Sequence, residues 1–140
     1  VTGTIILMPG HALLADWRAV SDGAAVRLDP AAMPAVGEGA RAADAIIAKG
    51  LPVYGINTGF GKLAGVHIAP DSLATLQRNL VLSHAAGAGE PARVATARLM
   101  MALKLASLGR SASGVRPGII KMLEAMLARE LIPSRRSPSD

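Results

Sequence analysis

Between Val94 and Leu108 the residues Val94, Ala97, Met101, Leu105 and Leu108 fall on one helical face, with neither Gly nor Pro inside the run. A stripe that long must be buried against other elements, so it fixes the chain as one that packs helices. Ile120, Leu123, Leu127 and Leu131 repeat the pattern in a last helix ending before Pro133. Asp71 to Ala86 predicts a further helix, opened by Pro70-Asp71 and stopped at Gly87, with Leu73, Leu76 and Leu80 on one face. His84 lies on that face one turn beyond Leu80. Leu14, Trp17 and Val20 mark a shorter helix in HALLADWRAV. Asp29-Pro30 signals another start, but Pro34, Gly37 and Gly39 weaken the residues just after it, so that helix is expected from Glu38 to Lys49, stopped by Gly50. TIILMPG and AVRLDP read as short extended pieces. The expected fold is mostly α and bundle-like, with short extended segments near the N-terminus and one Gly-rich loop.

Composition supports this. Of the 140 residues 51% are hydrophobic but only 2% aromatic, so the apolar mass is small and aliphatic, as close helix packing requires. With 18% charged residues the chain is too apolar for an extended disordered state. The absence of Cys excludes a disulfide framework, a thiol nucleophile and Cys-bound zinc. Charges or glycines interrupt every apolar run, so no membrane partner is expected, and nothing reads as a secretion signal. A cytoplasmic location fits. The net charge of +5 and pI near 10.5 suggest nucleic acid, yet Lys and Arg are scattered singly until Arg135-Arg136 and no aromatics interleave with them. A solvated helical surface accounts for most of these charges, and no nucleic-acid partner is expected.

Chemistry is concentrated in LPVYGINTGFGKLAGVHIAP, residues 51–70. Neither phosphate motif fits. Gly61-Lys62 is followed by Leu63 where a P-loop needs Ser or Thr, and Gly55, Gly59 and Gly61 do not have the dinucleotide spacing. No nucleotide and no metal is therefore expected. Tyr54, the only tyrosine, stands beside Asn57 and Thr58. A phenol can exchange a proton when its surroundings favour it, though from the residues alone a packed, hydrogen-bonded tyrosine is the commoner outcome. His84 likewise reads as a histidine satisfied near a helix end, and Ser83 as a helix-end hydroxyl. His11 and His67 sit in turn contexts and receive no role.

VYGINTGFGKLAGVHI, followed by LATLQRNLVLSHAAGAGEP and RLMMALKLASLGRSASGVRP, resembles the N-terminal part of the aromatic amino-acid lyase family, on its histidine-acting branch. The resemblance spans nearly the whole chain, as far as Pro133. It implies a largely helical fold, a homotetramer with shared active sites, and elimination of ammonia from L-histidine to give urocanate. It also implies a methylidene-imidazolone electrophile, self-formed from an internal Ala-Ser-Gly. By motif, Tyr54 takes the acid/base position, Gly61 a substrate-contacting backbone position, and Ser83-His84 the pair facing the substrate side chain. A Ser-His pair suits an imidazole, which when neutral offers one donor and one acceptor. Relatives acting on tyrosine or phenylalanine usually carry another pair, such as His-Leu or Phe-Leu.

Ala112-Ser113-Gly114 has the precursor's composition, but SASGVRP resembles a helix-connecting segment of the family. It is expected to be a turn, so no electrophile precursor is expected in this chain. Residues 1–133 then form an incomplete lyase region and 134–140 a polar tail departing from the family. A truncated, inactive lyase fragment is the first expectation. A helical module pairing with intact lyase subunits, or a relative acting on tyrosine or phenylalanine, is the alternative. The loop from Val53 to Val66, with four glycines and few apolar anchors, is expected to be mobile and Tyr54 solvated. Leu73, Leu76 and Leu80 are expected to hold their helix against a core.

Overall fold

The computed structural model describes residues 3–85 and 89–133. Two strands, β1 (Ile5–Leu7) and β2 (Val26–Leu28), pair in parallel with Ile5 opposite Val26 and Leu7 opposite Leu28. A parallel pair needs a crossover, and α1 (Leu14–Ser21) supplies it. The Asp16 carboxylate accepts the Leu13 amide at 2.8 Å and so starts that helix. Asp29 accepts the Ala31 amide at 2.9 Å, opening a single 3-10 turn at Pro30–Ala32 that runs into α2 (Met33–Ala48). The helix therefore begins five residues before Glu38. Pro34 lies in its first turn, where no internal N–H bond is required, and Val36 is buried, which offsets the weak propensity of Gly37 and Gly39.

The chain divides into two units, residues 42–89 forming one and residues 1–41 with the stretch from Glu90 onward the other. The larger unit holds α4 (Val94–Leu108) and α5 (Pro117–Ala128). Its core comes in equal parts from its two segments: Leu7, Val20, Val26, Leu28 and Val36 from the first, and Ala102, Leu105, Leu108, Ile120 and Leu127 from the second. The Glu124 carboxylate ties α5 to β2 by accepting the Leu28 amide at 2.8 Å. α5 ends at Ala128, short of the end the stripe suggests, because Glu130 turns left-handed at φ +56° and leaves Leu131 exposed.

The buried face of α4 keeps Leu105, Leu108 and, in part, Met101 of the expected stripe but is rotated away from Val94. Arg98, Ala102, Leu105 and Leu108 are buried, whereas Val94, Met100 and Leu103 are exposed. Arg98, expected on a solvated surface, is 6% exposed. Its Nε donates to the Val20 carbonyl at 3.0 Å, and its Nη2 to the Ala24 and Gly23 carbonyls at 2.8 and 3.3 Å. A guanidinium here adds a second donor to the Val20 carbonyl, which also accepts the Gly23 amide at 3.1 Å, satisfies carbonyls just beyond α1 and opposes the negative dipole of that helix end.

The smaller unit contains the loop and α3 (Leu73–His84). Here the expectation of a core for α3 is overturned: none of its residues is buried, and Leu73, Leu76 and Leu80 are only half-buried. Among the unit's described residues the buried side chains are Asn57 and Thr58, both polar. The expected helix end at Ala86-Gly87 and the tail 134–140 lie outside the described residues.

Candidate functional site

Residues 51–70 form a cross-tied loop. The Ile56 and Asn57 amides donate to the Val53 carbonyl at 3.1 and 3.2 Å, so Val53-Tyr54-Gly55-Ile56 is a turn, with Gly55 at φ +80° supplying its left-handed corner. Further on, the Gly59 amide donates to the Val66 carbonyl at 3.0 Å and the Ile68 amide to the Asn57 carbonyl at 2.8 Å, bracketing an antiparallel bridge between Thr58 and His67. The return passes through a 3-10 turn at Gly61–Leu63.

Asn57 lies at the centre of this loop and is 2% exposed. Its Oδ1 accepts the Val53 amide at 2.7 Å, its Nδ2 donates to the Leu51 carbonyl at 2.9 Å, and the same nitrogen lies 3.4 Å from His67 Nε2. These partners fix the amide orientation, since Val53 can only donate and the Leu51 carbonyl only accept. The loop thus has a tied base where a mobile segment was expected. Sequence reading missed Asn57 and His67 as supports, although Asn is by itself a known turn-forming residue.

Tyr54 projects from the turn and is 64% exposed, its ring edge-on to Phe60 at 5.8 Å between centroids. No hydrogen bond engages its hydroxyl among the described residues. Gly61 follows Phe60 at φ +56°, a backbone conformation that side-chain-bearing residues rarely adopt.

Ser83 and His84 close the last turn of α3, and both are exposed. His84 Nδ1 lies 2.9 Å from the Leu80 carbonyl oxygen and 3.1 Å from Ser83 Oγ, while Ser83 Oγ donates to the same carbonyl at 3.1 Å. A carbonyl only accepts, so His84 Nδ1 carries a hydrogen and, in the neutral ring, Nε2 keeps its lone pair. The pair presents an acceptor nitrogen beside a hydroxyl. The structure brings Ser83 to His84, and Tyr54 to the Phe60-Gly61 corner; no hydrogen bond or ring contact joins the two pairs among the described residues.

Elsewhere, a cavity of about 350 Å³ in the larger unit is lined by Asp22, Val94, Arg98 and Glu130 among others, and by none of Tyr54, Gly61, Ser83 and His84. Among the described residues no cluster of three His, Asp or Glu side chains can hold a metal ion, and no helix is long and apolar enough to cross a membrane. Ala112-Ser113-Gly114 lies between α4 and α5, where Ser111 and Gly114 take positive φ of 66° and 61° and the Gly114 amide donates to the Ser111 carbonyl at 3.4 Å.

Comparison with known proteins places this geometry. The chain is similar to a tyrosine aminomutase from Streptomyces globisporus, at 26% identity and TM-score 0.86, over 91% of this chain and 24% of that one. It is similar to histidine ammonia-lyase from Trypanosoma cruzi, at 32% identity and TM-score 0.77, over 89% of this chain and 25% of that one. The fold also matches ergothionase, an ergothioneine-degrading enzyme from Treponema denticola, at 24% identity and TM-score 0.88, over 96% of this chain and 28% of that one. The chain thus spans about a quarter of the length of the solved relatives it matches. The family model for aromatic amino acid lyases matches residues 13–136, and the chain belongs to that family.

Proposed function

We propose that this chain is the N-terminal part of a histidine ammonia-lyase, contributing the proton-handling and side-chain-recognising half of a site that converts L-histidine to urocanate and ammonia. The observation that carries the reading is the Ser83-His84 pair. His84 holds its Nδ1 hydrogen on the Leu80 carbonyl, which leaves Nε2 to accept the N–H of a substrate imidazole. The Ser83 hydroxyl lies 3.1 Å from His84 Nδ1, and on turning from the Leu80 carbonyl it can donate to the imidazole's second nitrogen. A phenyl or phenol side chain offers no matching pair of ring nitrogens, so this arrangement favours histidine over tyrosine or phenylalanine. The 32% identity to a histidine ammonia-lyase supports the same choice, although tyrosine aminomutase is also among the relatives.

In the reaction a β-proton and the α-amino group leave the substrate as a carbon–carbon double bond forms. Tyr54, exposed on its turn with its hydroxyl unengaged, is the group that exchanges the proton. Gly61 lends a backbone free of side-chain bulk next to it. The family's methylidene-imidazolone supplies the electron sink for the departing amine. Ala112-Ser113-Gly114 does not fit that group: Ala112 and Ser113 are exposed on a helix connection, where no described residue shields an electrophile from water. No step is assigned to them.

On this reading the 140-residue chain alone gives no urocanate, and a rise in urocanate absorbance above a heat-killed control overturns it. Substrate choice is tested by grafting residues 13–133 in place of the matching segment of the Trypanosoma cruzi enzyme. Turnover of L-histidine is expected; a chimera turning over L-tyrosine in preference to L-histidine refutes the assignment.

A further inference from the structure

We propose that Asn57 is a positioning residue for Tyr54 and that His67 completes its support; the link to catalysis rests on the reading of Tyr54 as the proton-exchanging group, whereas the support itself is a property of the loop. Asn57 is one of two buried side chains among the described residues of its unit, and all its described partners lie in the same loop. Two of them, the Leu51 carbonyl and the Val53 amide, lie immediately before Tyr54 in the chain. The amide therefore clamps the entry to the turn that projects Tyr54, while the Val53 carbonyl closes the turn itself. Bonds elsewhere hold the other end: Gly59 to Val66 and the Thr58–His67 bridge do not use the Asn57 side chain.

One Nδ2 hydrogen goes to Leu51, so the second faces His67 Nε2 at 3.4 Å. An N–H can be received there only if Nε2 keeps its lone pair, which puts the ring hydrogen on Nδ1. His67 meets the Asn57 amide and, through the backbone bridge, Thr58. Asn57 thus directs Tyr54, and His67 supplies the acceptor that completes its support.

The test uses the 140-residue chain, isotope-labelled, in solution. Ring nitrogen shifts of wild-type His67 at neutral pH should show Nδ1–H, and a dominant Nε2–H form overturns the role of His67. Asn57→Ala should lower the hydrogen-exchange protection of the Val53 amide roughly ten-fold and abolish the Tyr54–Phe60 ring contact, while Gly59 keeps its protection. Loss of Gly59 protection in parallel would show that Asn57 merely holds the loop together, and would overturn the positioning role. His67→Gln, which keeps an acceptor, should hold Val53 protection, whereas His67→Ala, which removes it, should lower that protection roughly three-fold; equal protection in the two variants refutes the role of His67. None of these measurements depends on lyase turnover, so failure here is distinguishable from failure of the functional assignment.

Discussion

Tyr54 is exposed because a four-residue turn with a left-handed glycine corner lifts it away from the loop's tied base. On the histidine ammonia-lyase reading its hydroxyl is the feature that matters, since Phe keeps the ring and its edge contact with Phe60. Tyr54→Phe in the chimera is therefore expected to lower kcat by about 10²–10⁴-fold with little change in fold, as judged by circular dichroism and turnover together. A loss below ten-fold would remove Tyr54 from proton transfer. At this scale the sequence is legible where a motif names residue types: Tyr54, Gly61, Ser83 and His84 are visible as such. Asn57 and His67 are not, because the chain must fold back before residues ten apart can share a hydrogen bond. Arg98 escapes for a related reason: nothing local distinguishes a charge on a solvated face from one satisfied by carbonyls more than seventy residues away.

Helix existence is far easier to read than helix surroundings. The stripe in α4 and the Asp29-Pro30 start are local signals, and both elements form. The start of α2 comes earlier than propensity alone predicts, because propensity takes no account of the burial of Val36. The buried face of α4 differs from the expected one because its apolar residues nearly encircle it, leaving tertiary contacts to choose which side goes inward. Arg98 marks the chosen side. Replacing it with Met keeps the aliphatic stem but takes the donor from the Gly23 and Ala24 carbonyls, while the Val20 carbonyl keeps the Gly23 amide, and should cost about 2 kcal/mol. Urea unfolding followed through Trp17, the only tryptophan and packed against that core, measures it. A change below about 0.5 kcal/mol would mean that water replaces the guanidinium without penalty.

Across the whole molecule, apolar burial is distributed unevenly. The described core residues all belong to the larger unit, whereas the buried side chains of the unit bearing Tyr54, Ser83 and His84 are Asn57 and Thr58 among its described residues. Stability should follow that division. Limited trypsin digestion is expected to cut first after Lys49, Lys62 and Arg78, all exposed in the smaller unit, and to spare Arg98. Early cleavage after Arg98 would contradict it. The sequence signals the helices of both units equally well, but not this contrast, because half-buried leucines at helical spacing look the same whether or not a partner surface meets them. The discontinuity of the larger unit has a consequence during synthesis. Leu7, Val20, Val26, Leu28 and Val36 emerge from the ribosome well before Ala102, Leu105, Leu108, Ile120 and Leu127 exist to cover them. At ordinary elongation speeds the first half of the core waits on the order of 5–20 s for the second, an interval in which a nascent-chain chaperone has five aliphatic side chains to hold.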